Sequence, residues 1–154
     1  MSSPVKLGIV GLGRWAKVLT RAVRGKSGKL DIVAGFSRSQ AKRDEFHKEL
    51  GVPPAASMEA MLANPDIKGV ILTVPNEQHW PLAEMAAKAG KHVYTEKPIA
   101  QTLEEGLRIA ALEGKYNITV NAICPGFVQT DMIDELKARL QNLRQTISEM
   151  QVRL

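Results

Sequence analysis

An apolar strand that runs straight into a glycine-rich turn constrains this chain more than any other feature. The run Val5-Lys6-Leu7-Gly8-Ile9-Val10 is followed at once by Gly11-Leu12-Gly13-Arg14-Trp15-Ala16, and a helical pattern continues from there. That order suits a dinucleotide pyrophosphate. Gly11 permits the tight turn, Gly13 leaves the backbone open to a phosphate, and Ala16 lets the helix pack close to the strand. The helix start, through Leu12, Arg14 and Trp15, then offers unpaired N–H groups and a partial positive charge to an anion.

The rest of the chain alternates strand and helix with short connections, which predicts a parallel sheet. Strands are expected at 5–10, 31–36, 69–74, 92–95 and 118–123, with a minimal strand at Ala55-Ala56 after the break at Pro53-Pro54. Helices are expected at 14–24, 40–50, 58–63, 81–89 and 103–113. Ser39 and Gly51 bound the second of these, Ser57 caps the third, and Thr102-Leu103-Glu104-Glu105 forms a capping box for the last. The predicted fold class is α/β: a three-layer Rossmann fold with a doubly wound, mostly parallel six-strand sheet and a long C-terminal helix. Residues 1–132 make the nucleotide-binding domain and 133–154 the terminal helix. Ligands are expected at the carboxyl ends of the strands.

Bulk properties narrow the choices. A chain of 154 residues suits one domain with a real core. Its 44% hydrophobic and 24% charged residues are ordinary for a globular protein. No apolar run reaches the ~18 residues of a membrane span, and no signal-peptide core precedes the first strand, so no membrane partner and a cytoplasmic address are expected. The single cysteine, Cys124, excludes an internal disulfide framework. The net charge of +5 is spread along the chain without aromatic interleaving, which gives no support to nucleic-acid binding. His47, His79 and His92 lack ligand-like spacing, so no metal is expected.

A carboxylate at the end of the second strand would hold an unmodified ribose and repel a 2′-phosphate. Here that end reads Gly35-Phe36-Ser37-Arg38-Ser39, without an acid. Ser37 and Arg38 suit a 2′-phosphate, with Lys42 or Arg43 adding charge, so NADP is preferred over NAD. A solvated Arg38 and tolerance of either cofactor is the other reading.

Three segments together resemble the Gfo/Idh/MocA family of oxidoreductases over about residues 5–113. They are Gly11-Leu12-Gly13-Arg14-Trp15-Ala16, Thr73-Val74-Pro75-Asn76-Glu77-Gln78-His79 and Glu96-Lys97-Pro98. The resemblance implies that Lys97 is the catalytic cation near the nicotinamide, able to stabilise charge on a substrate oxygen and assist proton transfer. It implies a cis peptide before Pro98. It also implies that Pro75, Asn76, His79 and Glu96 approach the cofactor. For Glu96-Lys97 an exposed ion pair is the alternative. For His79 packing beneath a loop is an equal one.

Beyond the capping-box helix the pattern departs. Asn121-Ala122-Ile123-Cys124-Pro125-Gly126-Phe127-Val128-Gln129-Thr130 resembles the corresponding segment of short-chain dehydrogenase/reductases. There Pro125, Gly126 and Thr130, with the Val128 backbone, would position the nicotinamide amide. The alternative is a plain Pro-Gly turn. That family's Tyr-x-x-x-Lys pair is missing. Two patterns in one chain point to a recombined or engineered sequence joined near 115–117, a natural divergent protein being the alternative.

The first family also carries a second, substrate-binding domain, for which this sequence has no residues left. Cofactor binding is therefore expected and hydride transfer by the chain alone is not. The competing expectations are an active reductase completed by another subunit and a non-catalytic scaffold with a vestigial nucleotide site. Ile133, Leu136, Leu140, Leu143, Ile147, Met150 and Leu154 make one helical stripe, which either covers the chain's own sheet or joins copies into a homo-oligomer.

Overall fold

The computed structural model describes residues 3–122. They form β1 (Val5–Val10), α1 (Arg14–Val23), β2 (Leu30–Phe36), α2 (Gln40–Leu50), α3 (Met58–Ala63), β3 (Ile67–Leu72), α4 (His79–Lys88), β4 (His92–Thr95), α5 (Leu103–Tyr116) and β5 (Val120–Ala122). The strands make one sheet in the order β2-β1-β3-β4-β5, and every pairing is parallel. Strand order reverses between β1 and β3, so their carboxyl ends splay apart and leave a crevice.

Alternation along the strands divides the core in two. Ile9, Ile32 and Ile71 face one side and pack with Leu12, Ala16, Phe46 and Val52 under α1 and α2. Val10, Val70, Leu72 and Val93 face the other side and pack with Met58, Met61, Leu62, Ala83, Ala86, Ile109 and Leu112 of α3, α4 and α5. Strands buried on both faces read as nearly unbroken apolar runs, as Gly69-Val70-Ile71-Leu72 does.

Local chemistry sets the helix ends. Ser39 Oγ accepts from Lys42 N at 3.4 Å, and Gly51 closes α2 at φ +66° with its N–H on His47 O. Ser57 Oγ accepts from Ala60 N at 3.0 Å. Thr102 Oγ1 accepts from Glu105 N at 3.2 Å, while Glu105 Oε2 takes Gln101 N instead of the cap's own N–H. The reciprocal bond of the box is thus made one residue early.

Several boundaries differ from expectation, each for a physical reason. The helix expected at 81–89 starts at His79 after a 3₁₀ turn over Asn76–Gln78. Pro81 sits in its first turn, where a backbone N–H has no intrahelical partner and its loss costs little. The strand expected at 69–74 runs from Ile67 to Leu72. It ends where Thr73 turns its Oγ1 onto Val10 O at 3.0 Å and Gly11 O at 2.6 Å. The last described helix runs on to Tyr116 and stops at Asn117, which is left-handed at φ +53°. The sheet has five strands among the described residues. The expected strand at Ala55-Ala56 is a single bridge between Gly35 and Pro54. Gly35 N reaches Pro53 O and Ala55 N reaches Gly35 O, both at 2.9 Å. Two adjacent prolines supply no N–H with which to extend that ladder. The long helix expected from Ile133 lies outside the described residues, as does the end of the strand expected to reach Ile123.

Lys91 ties the loop before β3 to the start of β4. Its ammonium donates to Asn64 O and Ile67 O, both at 2.8 Å. Burial disfavours the charged form, with nearby Lys68 adding to the effect, so its pKa is lowered. The folded state therefore binds this proton less readily than the unfolded chain, and its contribution to stability rises with pH up to the ordinary lysine value. The difference in urea-unfolding free energy between the wild type and Lys91→Met is expected to shift in the wild type's favour as pH approaches 10.5, the ordinary lysine pKa. A difference flat with pH would contradict it. Phe46, 1% exposed, is the largest side chain buried under α1 and α2. Phe46→Ala is expected to cost about 3–5 kcal/mol in the same measurement.

Candidate functional site

The crevice at the strand carboxyl ends is a cleft of about 480 Å³. Val10, Gly11, Leu12 and Gly13 form its floor. Phe36, Ser37, Arg38 and Lys42 stand on one side. Thr73, Val74, Pro75 and Gln78, with Leu82 and Met85 of α4 and Met58 and Glu59 of α3, complete the wall.

The floor depends on its two glycines for different reasons. Gly11 holds φ +87°, and its N–H donates to Phe36 O at 2.9 Å. A Cβ there would lie 2.6 Å from Thr73 O and 2.7 Å from Val74 Cγ1. Backbone from two strands meets at this point, so no side chain can enter. A Cβ on Gly13 would meet nothing within 4 Å. Gly13 is the N-cap of α1, and no side chain caps that end or places an acid in its first turn. The first N–H groups of α1 are thus uncapped beside an open backbone surface, which is the arrangement an anion requires. Ala16 is fully buried against the sheet and lets the helix start close to the strand.

Charge is distributed unevenly around this floor. Lys17 bonds Glu45 and Glu49 of α2, each at 2.6 Å, and these partners raise its pKa. Arg21 pairs with Glu49. Arg43 donates to Ser37 O and Gln40 Oε1, and its Cζ lies 5.8 Å from the centre of the Phe36 ring. Arg38 and Lys42 make no ion pair among the described residues, and both line the cleft. Glu59, the acid on the wall, has its pKa lowered by its own backbone N–H and by the Ser57 hydroxyl.

The structure brings Gly11, Leu12, Gly13, Ser37, Arg38 and Pro75 together around one cleft. Arg14 and Trp15 occupy the first turn of α1 with exposed side chains, Trp15 at 53%, so only their backbone is near the floor. Asn76 opens the 3₁₀ turn behind Pro75. His79 is fully buried. Its Nδ1 lies 3.0 Å from Pro98 O and 3.3 Å from Ile99 O, and its Nε2 lies 3.2 Å from Val74 O. This ring is packed between the loop after β3 and the loop after β4 and does not line the cleft. Glu96 follows β4 with its N–H on Leu72 O at 3.1 Å. Lys97 is exposed on the next position, before a cis peptide to Pro98, and makes no side-chain bond among the described residues. Pro125, Gly126 and Thr130 lie outside the described residues.

Sequence reasoning missed Thr73, Val74, Gln78, Met58, Glu59, Leu82 and Met85. Thr73 and Val74 carried a usable signal, since they directly follow a buried strand in a parallel sheet. The α3 and α4 residues carried none, because their place on the wall follows from how those helices cross the sheet.

Comparison with known proteins agrees with this geometry. The model of the oxidoreductase family Gfo/Idh/MocA, described as an NAD-binding Rossmann fold, matches residues 5–123, running through the position where a join was expected. A 1-carboxy-3-chloro-3,4-dihydroxycyclohexa-1,5-diene dehydrogenase of Comamonas testosteroni is 34% identical over 121 residues, covering 74% of this chain and 30% of the relative. A solved structure from Desulfitobacterium hafniense, whose name proposes an NADPH-dependent oxidoreductase, is 40% identical with a TM-score of 0.75, over 79% of this chain and 35% of the other. Biliverdin reductase from Synechocystis sp. PCC 6803, solved with biliverdin and NADP+, is 32% identical with a TM-score of 0.71, over 77% and 37% of the two chains. This chain thus spans about a third of the length of the proteins it matches. With a parallel sheet, a glycine-lined crevice at its switch point and a family match across the whole described region, the chain belongs to the Gfo/Idh/MocA oxidoreductases and carries their NAD(P)-binding Rossmann domain.

Proposed function

We propose that this chain binds NADP in preference to NAD. The observation that carries the preference is the pair of cations on the cleft wall. Arg38 and Lys42 stand beside Phe36 and Ser37 at the end of β2, with no carboxylate at that strand end to take a ribose diol. A 2′-phosphate would meet two positive charges and the Ser37 hydroxyl there.

The residues suit the rest of the cofactor as well. The open backbone at Gly13 and the uncapped α1 end would hold the pyrophosphate. When bound, the nicotinamide carries the hydride of the oxidoreductase reaction. Lys97 is the residue of this chain proposed to work beside it. Its ammonium, on the turn after β4, can stabilise negative charge on a substrate oxygen or hand it a proton. Its flexible side chain needs a substrate held in register, and a misplacement of about 1 Å costs roughly a hundredfold in rate.

Titration of the full chain with NADPH and NADH, followed through the fluorescence of Trp15 and Trp80 and by calorimetry, tests the reading. NADPH is expected to bind more tightly. Arg38→Ala and Lys42→Ala are each expected to weaken NADPH about tenfold, as loss of a charge-assisted bond does, with little effect on NADH. Equal affinity for both cofactors in the wild type would refute the preference. The two glycines should separate cleanly. Gly13→Ala is expected to fold with stability within about 1 kcal/mol of wild type and to lose both cofactors. Gly11→Ala is expected to lower stability itself, by about 1–3 kcal/mol or more, because it strains the backbone against Thr73.

A further inference from the structure

The loop that presents Ser37 and Arg38 has its own brace. Arg43, in the first turns of α2, is absent from the cleft wall, yet its guanidinium touches the end of β2, the loop and the start of α2. One arm donates to Ser37 O and the other to Gln40 Oε1, while the plane lies near the Phe36 ring, with Cζ 5.8 Å from its centre. Gln40 is itself fixed, its Nε2 donating to Asp44 Oδ1 at 2.7 Å. The loop's other internal bonds are long: Ser37 Oγ accepts from Ser39 N, and Ser39 Oγ from Lys42 N, both at 3.4 Å. Bonds near that length hold weakly, whereas the guanidinium ties the Ser37 carbonyl to the start of α2 with charge-assisted donors, beside the Arg43 N–H on Ser39 O at 3.2 Å.

We propose that Arg43 is a positioning residue for cofactor selectivity: by clamping the Ser37 carbonyl it holds the Ser37 hydroxyl and Arg38 where they meet a 2′-phosphate. The proposal rests on the reading that Ser37, Arg38 and Lys42 take that phosphate. Arg43 acts through geometry, since its terminal nitrogens are engaged by Ser37 O and Gln40 Oε1 and its side chain is off the wall. Its effect is confined to one end of the cofactor. The pyrophosphate is served by Gly11, Gly13 and the start of α1, which Arg43 does not contact through any hydrogen bond among the described residues. Loss of the brace therefore penalises NADPH and leaves NADH nearly untouched. Lysine cannot replace it, because an ammonium keeps the charge but not the planar two-armed fork.

The test compares dissociation constants for NADPH and NADH in the full chain as wild type, Arg38→Ala, Arg43→Gln, Arg43→Lys and Gln40→Leu, with thermal unfolding of each. Arg43→Gln and Arg43→Lys are both expected to reduce the NADPH:NADH preference about tenfold, the scale of a lost hydrogen bond to a charged group, with NADH affinity held within about threefold. Gln40→Leu, an exposed change that removes one arm's partner, is expected to fall between them and wild type and keeps the proposal testable should an Arg43 variant fold poorly. If Arg43→Lys keeps the full preference while Arg43→Gln loses it, charge alone acts and the brace is overturned. If both cofactors weaken together along with the melting temperature, the role is merely structural and the proposal is overturned. If Arg38→Ala abolishes the preference and no Arg43 variant changes it, the brace falls while the 2′-phosphate reading stands. A wild type with no preference overturns both.

Discussion

The contact on which this architecture turns is the approach of Gly11 to Thr73. The first turn of the chain leaves β1 at a backbone conformation open mainly to glycine. It does so because the end of β3 lies directly against it, with Thr73 bonded to both Val10 O and Gly11 O. The same turn is tied to β2 through Gly11 N and Phe36 O. One residue without a side chain thus gathers the carboxyl ends of three adjacent strands. The position of the crevice, the direction in which α1 leaves it and the exposure of Gly13 all follow from that meeting.

The wall of the crevice is then assembled from two sides with different character. The β2 side is polar and cationic, and its charge is kept available by pairing elsewhere. Glu45 and Glu49 occupy Lys17 and Arg21, and Arg43 is occupied by its own loop. The α3–α4 side is largely apolar, with Met58, Leu82 and Met85. A long ligand that is charged at defined points and flat and apolar elsewhere suits such a surface. Behind the wall, the buried His79 ring lies between the loops after β3 and β4, within 3.3 Å of three of their carbonyl oxygens. Its substitution would loosen Val74 on the cleft and the Pro98 turn beside Lys97 together.

What could be read from the amino-acid order divides along physical lines. Helix caps at Ser39, Ser57, Thr102 and Gly51 were legible because a cap is settled within three or four residues. The glycine turn and the missing acid after β2 were legible because strand ends in a parallel sheet share an edge. Arg43 was read as a further cation for a phosphate, whereas the fold turns it inward onto the loop. Gln40, three residues earlier on the helix, is within reach by spacing alone, but the approach of Phe36 and of the Ser37 carbonyl depends on how the loop turns between β2 and α2. His79 likewise required knowing that the loops at Val74 and Pro98, distant along the chain, come together. The extent of the sheet was overread at Ala55-Ala56, where the apolar composition suggested a strand and the prolines beside it stopped one.

Those prolines also decide what happens at the outer side of the sheet. The edge of a parallel sheet ordinarily offers a row of backbone donors and acceptors to any extended chain, and is a template for unwanted association. Here the segment laid along Gly35 carries carbonyls but, at Pro53 and Pro54, no donors. A foreign strand arriving there would find no N–H at Pro54, whose backbone faces away from β2. The same two residues that keep this segment from growing into a strand beside β2 thus also make it a poor template for a further strand at Gly35.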